Sequence, residues 1–139
     1  MVRIDRPPRQ GKRSFWARVF IAGLLLFSIS GWLRLHQTIL NWDYLVEIGL
    51  RPAPLYLALT GALGGLSGLA AGLSLWLRLR WGVLVAGGVI LLWQAWNWID
   101  RLWIASSPAV LANWPFALAA TLFILVFTYL VLSEERRST

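Results

Sequence analysis

The side chains of this protein that can do chemistry are concentrated in one stretch. From Leu91 to Trp103 the chain runs Leu-Leu-Trp-Gln-Ala-Trp-Asn-Trp-Ile-Asp-Arg-Leu-Trp, with four tryptophans and four polar or charged residues at the end of an otherwise apolar segment. On a helix, Gln94, Asn97 and Arg101 follow one another at spacings of three and four and share a face, with Trp98 beside them. Amide and guanidinium groups below the lipid headgroups are costly when unsatisfied, so this face is expected to turn into a helix bundle or toward a polar cavity. Tryptophan is also enriched where its ring meets lipid and its N–H meets water, and such an interfacial belt accounts for Trp98 and Trp103. Trp93, Gln94, Trp96 and Asn97 lie one to two turns deeper. Together with Arg101 they are the candidate ligand-binding residues, suited to a lipid headgroup, a quinone-like ring or a pigment. Interhelical hydrogen bonding is the alternative use of the same groups.

A second constellation is His36, Asp43 and Glu47, spaced by seven and four along a possible helix from Arg34 to Ala53. An imidazole and two carboxylates at that spacing can hold a divalent cation or relay a proton. The expected reading is a solvated face, because an interfacial helix needs polar residues on its wet side. No catalytic residue, metal ligand or cofactor is assigned.

The elements that must position these groups follow from composition. The 139 residues are 58% hydrophobic and 14% charged, against roughly 45–50% apolar and 25% charged in soluble domains. At about 20 residues per crossing, this length accommodates four spans and short connections. The expected fold is therefore an all-α integral membrane protein, a four-transmembrane-helix bundle forming one membrane domain over residues 15–132. Its spans are expected at about 15–33, 55–77, 81–103 and 115–132.

Between the first two spans, Leu35, Ile39, Trp42, Val46 and Leu50 form one apolar stripe, which predicts an interfacial amphipathic helix over about 35–50 or an extension of the first span. Gly49 and the run Arg51-Pro52-Ala53-Pro54 should end it. Residues 1–14 hold Arg3, Arg6, Arg9, Lys12 and Arg13 with Pro7-Pro8, a basic arm expected to be disordered beside anionic lipid. Residues 133–139 form a charged tail. Ser28-Ile29-Ser30 has the small-x-small form of a signal-peptidase site, but an uncleaved anchor is the expectation.

In the second span Gly61, Gly65, Gly68 and Gly72 recur on one face, the helix-packing residues of the chain. Arg78-Leu79-Arg80 is short enough to make the second and third spans an antiparallel hairpin, and Gly82, Gly87 and Gly88 are positioned to accept the glycine face. Ala105-Ser106-Ser107-Pro108 and Asn113-Trp114-Pro115 supply turn and helix-start signals before the fourth span.

Orientation follows from the cations. With the N-terminus inside, Arg3, Arg6, Arg9, Lys12, Arg13, Arg18, Arg78, Arg80, Arg136 and Arg137 are cytoplasmic, whereas only Arg34, Arg51 and Arg101 are not. The positive-inside rule then places both termini on the cytoplasmic side of a bacterial inner membrane and the Trp-rich end of the third span on the far side.

Several activities are excluded by residue type. There is no cysteine for thiol redox chemistry, and the single His36 cannot supply a bis-histidine haem site. Small multidrug exporters of similar size carry a buried glutamate in the first span, where this chain has Ser28, Ser30 and glycines. The net charge of +7 is accounted for by topology signals and implies no nucleic-acid partner. The expectation is a non-enzymatic helical subunit or scaffold of a larger membrane assembly or homo-oligomer, with membrane lipids and other membrane subunits or itself as partners. The alternative is a carrier or binding protein for a lipid-like or aromatic molecule.

Overall fold

The computed structural model describes residues 13–49, 53–104 and 112–138, which are helical almost throughout. Helices run over Phe15–Leu40 (α1), Trp42–Glu47 (α2), Pro54–Trp76 (α3), Gly82–Ile99 (α4) and Trp114–Ser138 (α5), and α4 continues into a π-helical turn over Asp100–Ile104. Four helical segments are long and apolar enough to cross a membrane: Phe15–Leu40, Pro54–Trp76, Gly82–Trp103 and Trp114–Arg137. The protein is a multi-pass membrane protein built as a four-helix bundle. The basic arm over residues 1–12, the Arg51-Pro52 stop and the turn at 105–108 lie outside the described residues.

The first helix is longer than expected. Its 26 residues span about 39 Å, roughly 9 Å more than a hydrocarbon core. The apolar stripe from Leu35 onward is consequently divided. Its first part continues α1, and a separate six-residue α2 follows the break at Asn41. At that break the Asn41 side-chain amide donates to the Gln37 carbonyl at 2.8 Å, a local bond of the kind that competes with helix continuation. Gly49, at φ +60°, closes the segment in the left-handed region open to glycine.

The α3–α4 connection is an antiparallel hairpin. The Leu79 N–H bonds to the Ser74 carbonyl and the Arg78 N–H to the Leu75 carbonyl, the pattern of a Schellman helix end. Arg78 occupies the left-handed position, at φ 52°, where glycine is usual.

The tightest helix pair is α1 with α3, and the glycines dictate it. A Cβ on Gly31 would strike backbone atoms of Gly61, Gly64 and Gly65. On Gly61 it would meet the Gly31 carbonyl and Leu35 N at 2.9 Å, and on Gly68 it would meet Ser28 N at 3.0 Å. Gly65 lies under the Trp32 indole and Gly72 under Leu25. Ser28 completes the seam by donating to the Gly65 carbonyl at 2.6 Å. The glycine face of the second span is therefore filled by the first span. Of the third-span glycines expected to receive it, Gly82 abuts the end of α3 at Ser74, Gly87 faces Leu132, and Gly88 has open space around its Cβ position.

At the end where α1 starts and α5 finishes the four long helices close around Phe20, Leu24, Ala71, Ala86 and Val131. Arg13 seals this end. Its Nη2 donates to the Leu75 carbonyl at 2.6 Å and its Nε to Glu135 Oε1 at 3.0 Å, joining the start of α1, the end of α3 and the end of α5. Around the bundle α1 packs on α3, α3 on α4, α4 on α5 and α5 on α1. Helices α1 and α4 face one another across the middle.

Candidate functional site

Between α1 and α4 lies a cleft of about 580 Å³, within the usual size range for small-molecule sites. Its α4 wall is Val89, Ile90, Trp93, Gln94, Trp96, Asn97 and Asp100. The α1 wall is Phe20, Gly23, Leu24, Phe27 and Arg34, and α3 and α5 add Tyr56, Thr60 and Ile124. From Phe20 to Arg34 the lining covers about 21 Å of helix axis, more than half the thickness of a hydrocarbon core. The interior is aliphatic and aromatic, and the charged and hydrogen-bonding groups gather at the mouth.

Four of the five candidate residues from the sequence, Trp93, Gln94, Trp96 and Asn97, line this cleft. Arg101 does not; the neighbouring Asp100 does. The reason is helical phase. Asp100 lies seven residues after Trp93, almost two full turns, so it returns to the same face.

Trp93 is wedged among three helices. Its Nε1 donates to Ser67 Oγ at 2.8 Å, and its ring meets Phe27 edge to face with centroids 5.3 Å apart. The indole lies against α3 beside Gly64. One hydrogen bond and one ring contact therefore tie this residue to packing as well as to the cleft.

At the mouth, Tyr56 donates its hydroxyl to Asp100 Oδ1 at 2.6 Å and accepts the Trp96 indole N–H at 3.1 Å. The 2.6 Å separation falls in the range of a charge-assisted O–H···O bond. The Tyr56 and Trp96 rings stack at 6.1 Å with planes 21° apart. Arg34 lines the same mouth and also a shallower cavity of about 290 Å³ with Gln37, Thr38, Asn41 and Tyr44.

No family model matches the chain, and neither a curated protein nor a solved structure does.

Trp98 departs from the interfacial-belt reading. Its Nε1 donates to Thr121 Oγ1 at 3.1 Å, and that hydroxyl donates to Gln94 Oε1 at 3.3 Å, so Trp98 fastens α4 to α5. Trp103, 84% exposed, fits the belt. The His36, Asp43 and Glu47 set does not assemble. His36 is on α1 and the carboxylates are on α2 beyond the Asn41 break, and no group of three potential metal ligands occurs among the described residues.

Tyr56, Arg34, Phe27 and Asp100 were not singled out for this site from sequence. The signal for Asp100 was its seven-residue spacing from Trp93. For Tyr56 and Arg34 there was none, since tertiary packing alone brings α1 and α3 to this end of α4.

Proposed function

We propose that this is a multi-pass protein of a bacterial inner membrane, with both termini cytoplasmic, that binds a lipid-like amphipathic molecule between α1 and α4. The observation that carries this reading is the cleft itself, which from its apolar interior to its mouth is longer than one leaflet, about 15 Å, and whose mouth bears Arg34, Tyr56, Trp96, Asn97 and Asp100. An extended tail suits the interior and a polar head suits the mouth. Access from the bilayer is supported by Gly23 and Ile124, both exposed cleft residues on neighbouring helices, with open space around the Gly23 Cβ position.

That space also provides the test. A Gly23→Phe substitution adds a ring at a residue that lines the cleft and whose Cβ position meets no atom within 4 Å. Protein purified in a neutral maltoside detergent is expected to retain one lipid-like molecule per chain by native mass spectrometry, and Gly23→Phe to lose it. Equal retention by both proteins overturns the reading.

The role of helical subunit in a larger assembly or homo-oligomer stands as a second proposal. The glycine face that first supported it is occupied by α1, so its support moves to α4, the least enclosed of the four spans. Crosslinking in intact membranes through a cysteine at Gly88 tests it: a specific adduct supports association through α4, and a monomer only counts against it.

A further inference from the structure

Arg34 and Asp100 face the same mouth from α1 and α4, yet they do not form an ion pair. Opposite charges at the edge of a low-dielectric region attract strongly and are costly when left apart. Asp100 has a different partner. The Asp100 carboxylate is engaged through Oδ1 by the Tyr56 hydroxyl, and Tyr56 is in turn fixed by the Trp96 N–H and by stacking on the Trp96 ring. Oδ2 receives no hydrogen bond from a described residue. Arg34 stands between the cleft and the shallower polar cavity beside Gln37 and Tyr44.

Resting on the lipid-binding reading above, we infer that the mouth recognises a zwitterionic headgroup in which a phosphodiester and an ammonium are joined by a short linker. The guanidinium of Arg34 matches the phosphate by charge and by its fork of donors. The ammonium meets Oδ2 of Asp100 beside the stacked Tyr56–Trp96 pair, an acid next to an aromatic ring being a general cation-binding combination. A primary ammonium suits this mouth because it donates hydrogen bonds to the carboxylate as well as neutralising it. A purely anionic head leaves Asp100 unmatched and repelled, and a neutral head leaves both charges unmatched.

The test is a native mass spectrometric titration in a neutral maltoside detergent with three lipids of identical acyl chains: phosphatidylethanolamine, phosphatidylglycerol and diacylglycerol. The first phosphatidylethanolamine adduct is expected at a concentration about tenfold below that for either other lipid. Arg34→Gln should bring phosphatidylethanolamine close to diacylglycerol. Asp100→Asn should bring it to the level of phosphatidylglycerol. A saturable diacylglycerol adduct with both variants shows that the cleft is intact. Equal binding of phosphatidylethanolamine and diacylglycerol to the unsubstituted protein overturns the headgroup inference while leaving the cleft reading in place. The absence of a saturable adduct with any of the three overturns both.

Discussion

Replacing Gly31 by alanine adds one methyl group to the seam between α1 and α3, and the geometry says how much that methyl costs. Its carbon would lie 2.8 Å from the Gly61 carbonyl oxygen and 2.9 Å from the Gly64 carbonyl carbon, with the Gly65 nitrogen closer still. All three are backbone atoms, so no rotamer change relieves the contact. Carbon atoms pack best at about 3.5–4.0 Å, and the helices must part by roughly 0.6–1 Å. Overpacking of this kind costs about 1–3 kcal/mol. Parting the helices also weakens the bond from Ser28 to the Gly65 carbonyl, and an interhelical bond in lipid contributes on the order of 0.6–1.7 kcal/mol. The expected destabilisation is about 2–4 kcal/mol. Gly88→Ala, with open space at the Cβ position, is the matched control and should change stability by less than about 0.5 kcal/mol. Unfolding by sodium dodecyl sulfate in mixed micelles, followed by circular dichroism, reads both. Equal midpoints for the two variants would refute the packing argument. A loss that disappears as protein concentration rises would instead assign the seam to contacts between copies.

Gly23→Phe should unfold at the same denaturant fraction as the unsubstituted protein, within about 0.5 kcal/mol, so that any loss of bound lipid reports occupancy of the cleft and not damage to the fold. Arg13→Gln removes the charged partner of Glu135 and the donor to the Leu75 carbonyl, both nearly buried, and should cost about 1–3 kcal/mol. A double-mutant cycle with Glu135→Gln should show a coupling of at least about 0.5 kcal/mol, and strict additivity of the two losses would disprove the clamp.

The four spans were legible because length and apolarity are local properties: Phe15 to Leu33, Leu55 to Leu77, Trp81 to Trp103 and Phe116 to Leu132 each carry their own signal. Which spans touch was not. Periodicity identifies Gly61, Gly65, Gly68 and Gly72 as one face, but nothing within that helix names the partner, and the lone Gly31 in the first span carries no pattern that points to Gly61, Gly64 and Gly65, which lie against it. The span and the helix end differ because Arg34 marks a membrane boundary, whereas a helix ends only where its backbone bonding changes, at Asn41, so α1 extends past the span, one of the two readings the sequence allows. At the site, Trp93, Gln94, Trp96 and Asn97 were legible as polar and aromatic groups too deep for a belt. Arg101 was preferred to Asp100 because the face was drawn through Gln94 and not through Trp93. Tyr56 has no sequence signal at all, since one tyrosine in the first turn of a span is commonplace at an interface.

The Arg13 clamp has a mechanical consequence. It pins three helix ends where α1 starts and α5 ends, and the α3–α4 hairpin turn pins the fourth at the same level. The opposite end is tied as well, α1 to α3 through Gly31 and Gly61 and α3 to α4 through the bond from Tyr56 to Asp100. The cleft is thus a slot bounded by bonded helices at both ends, and the limit on how far a guest's tail can reach is set at the closed end around Phe20 and Leu24.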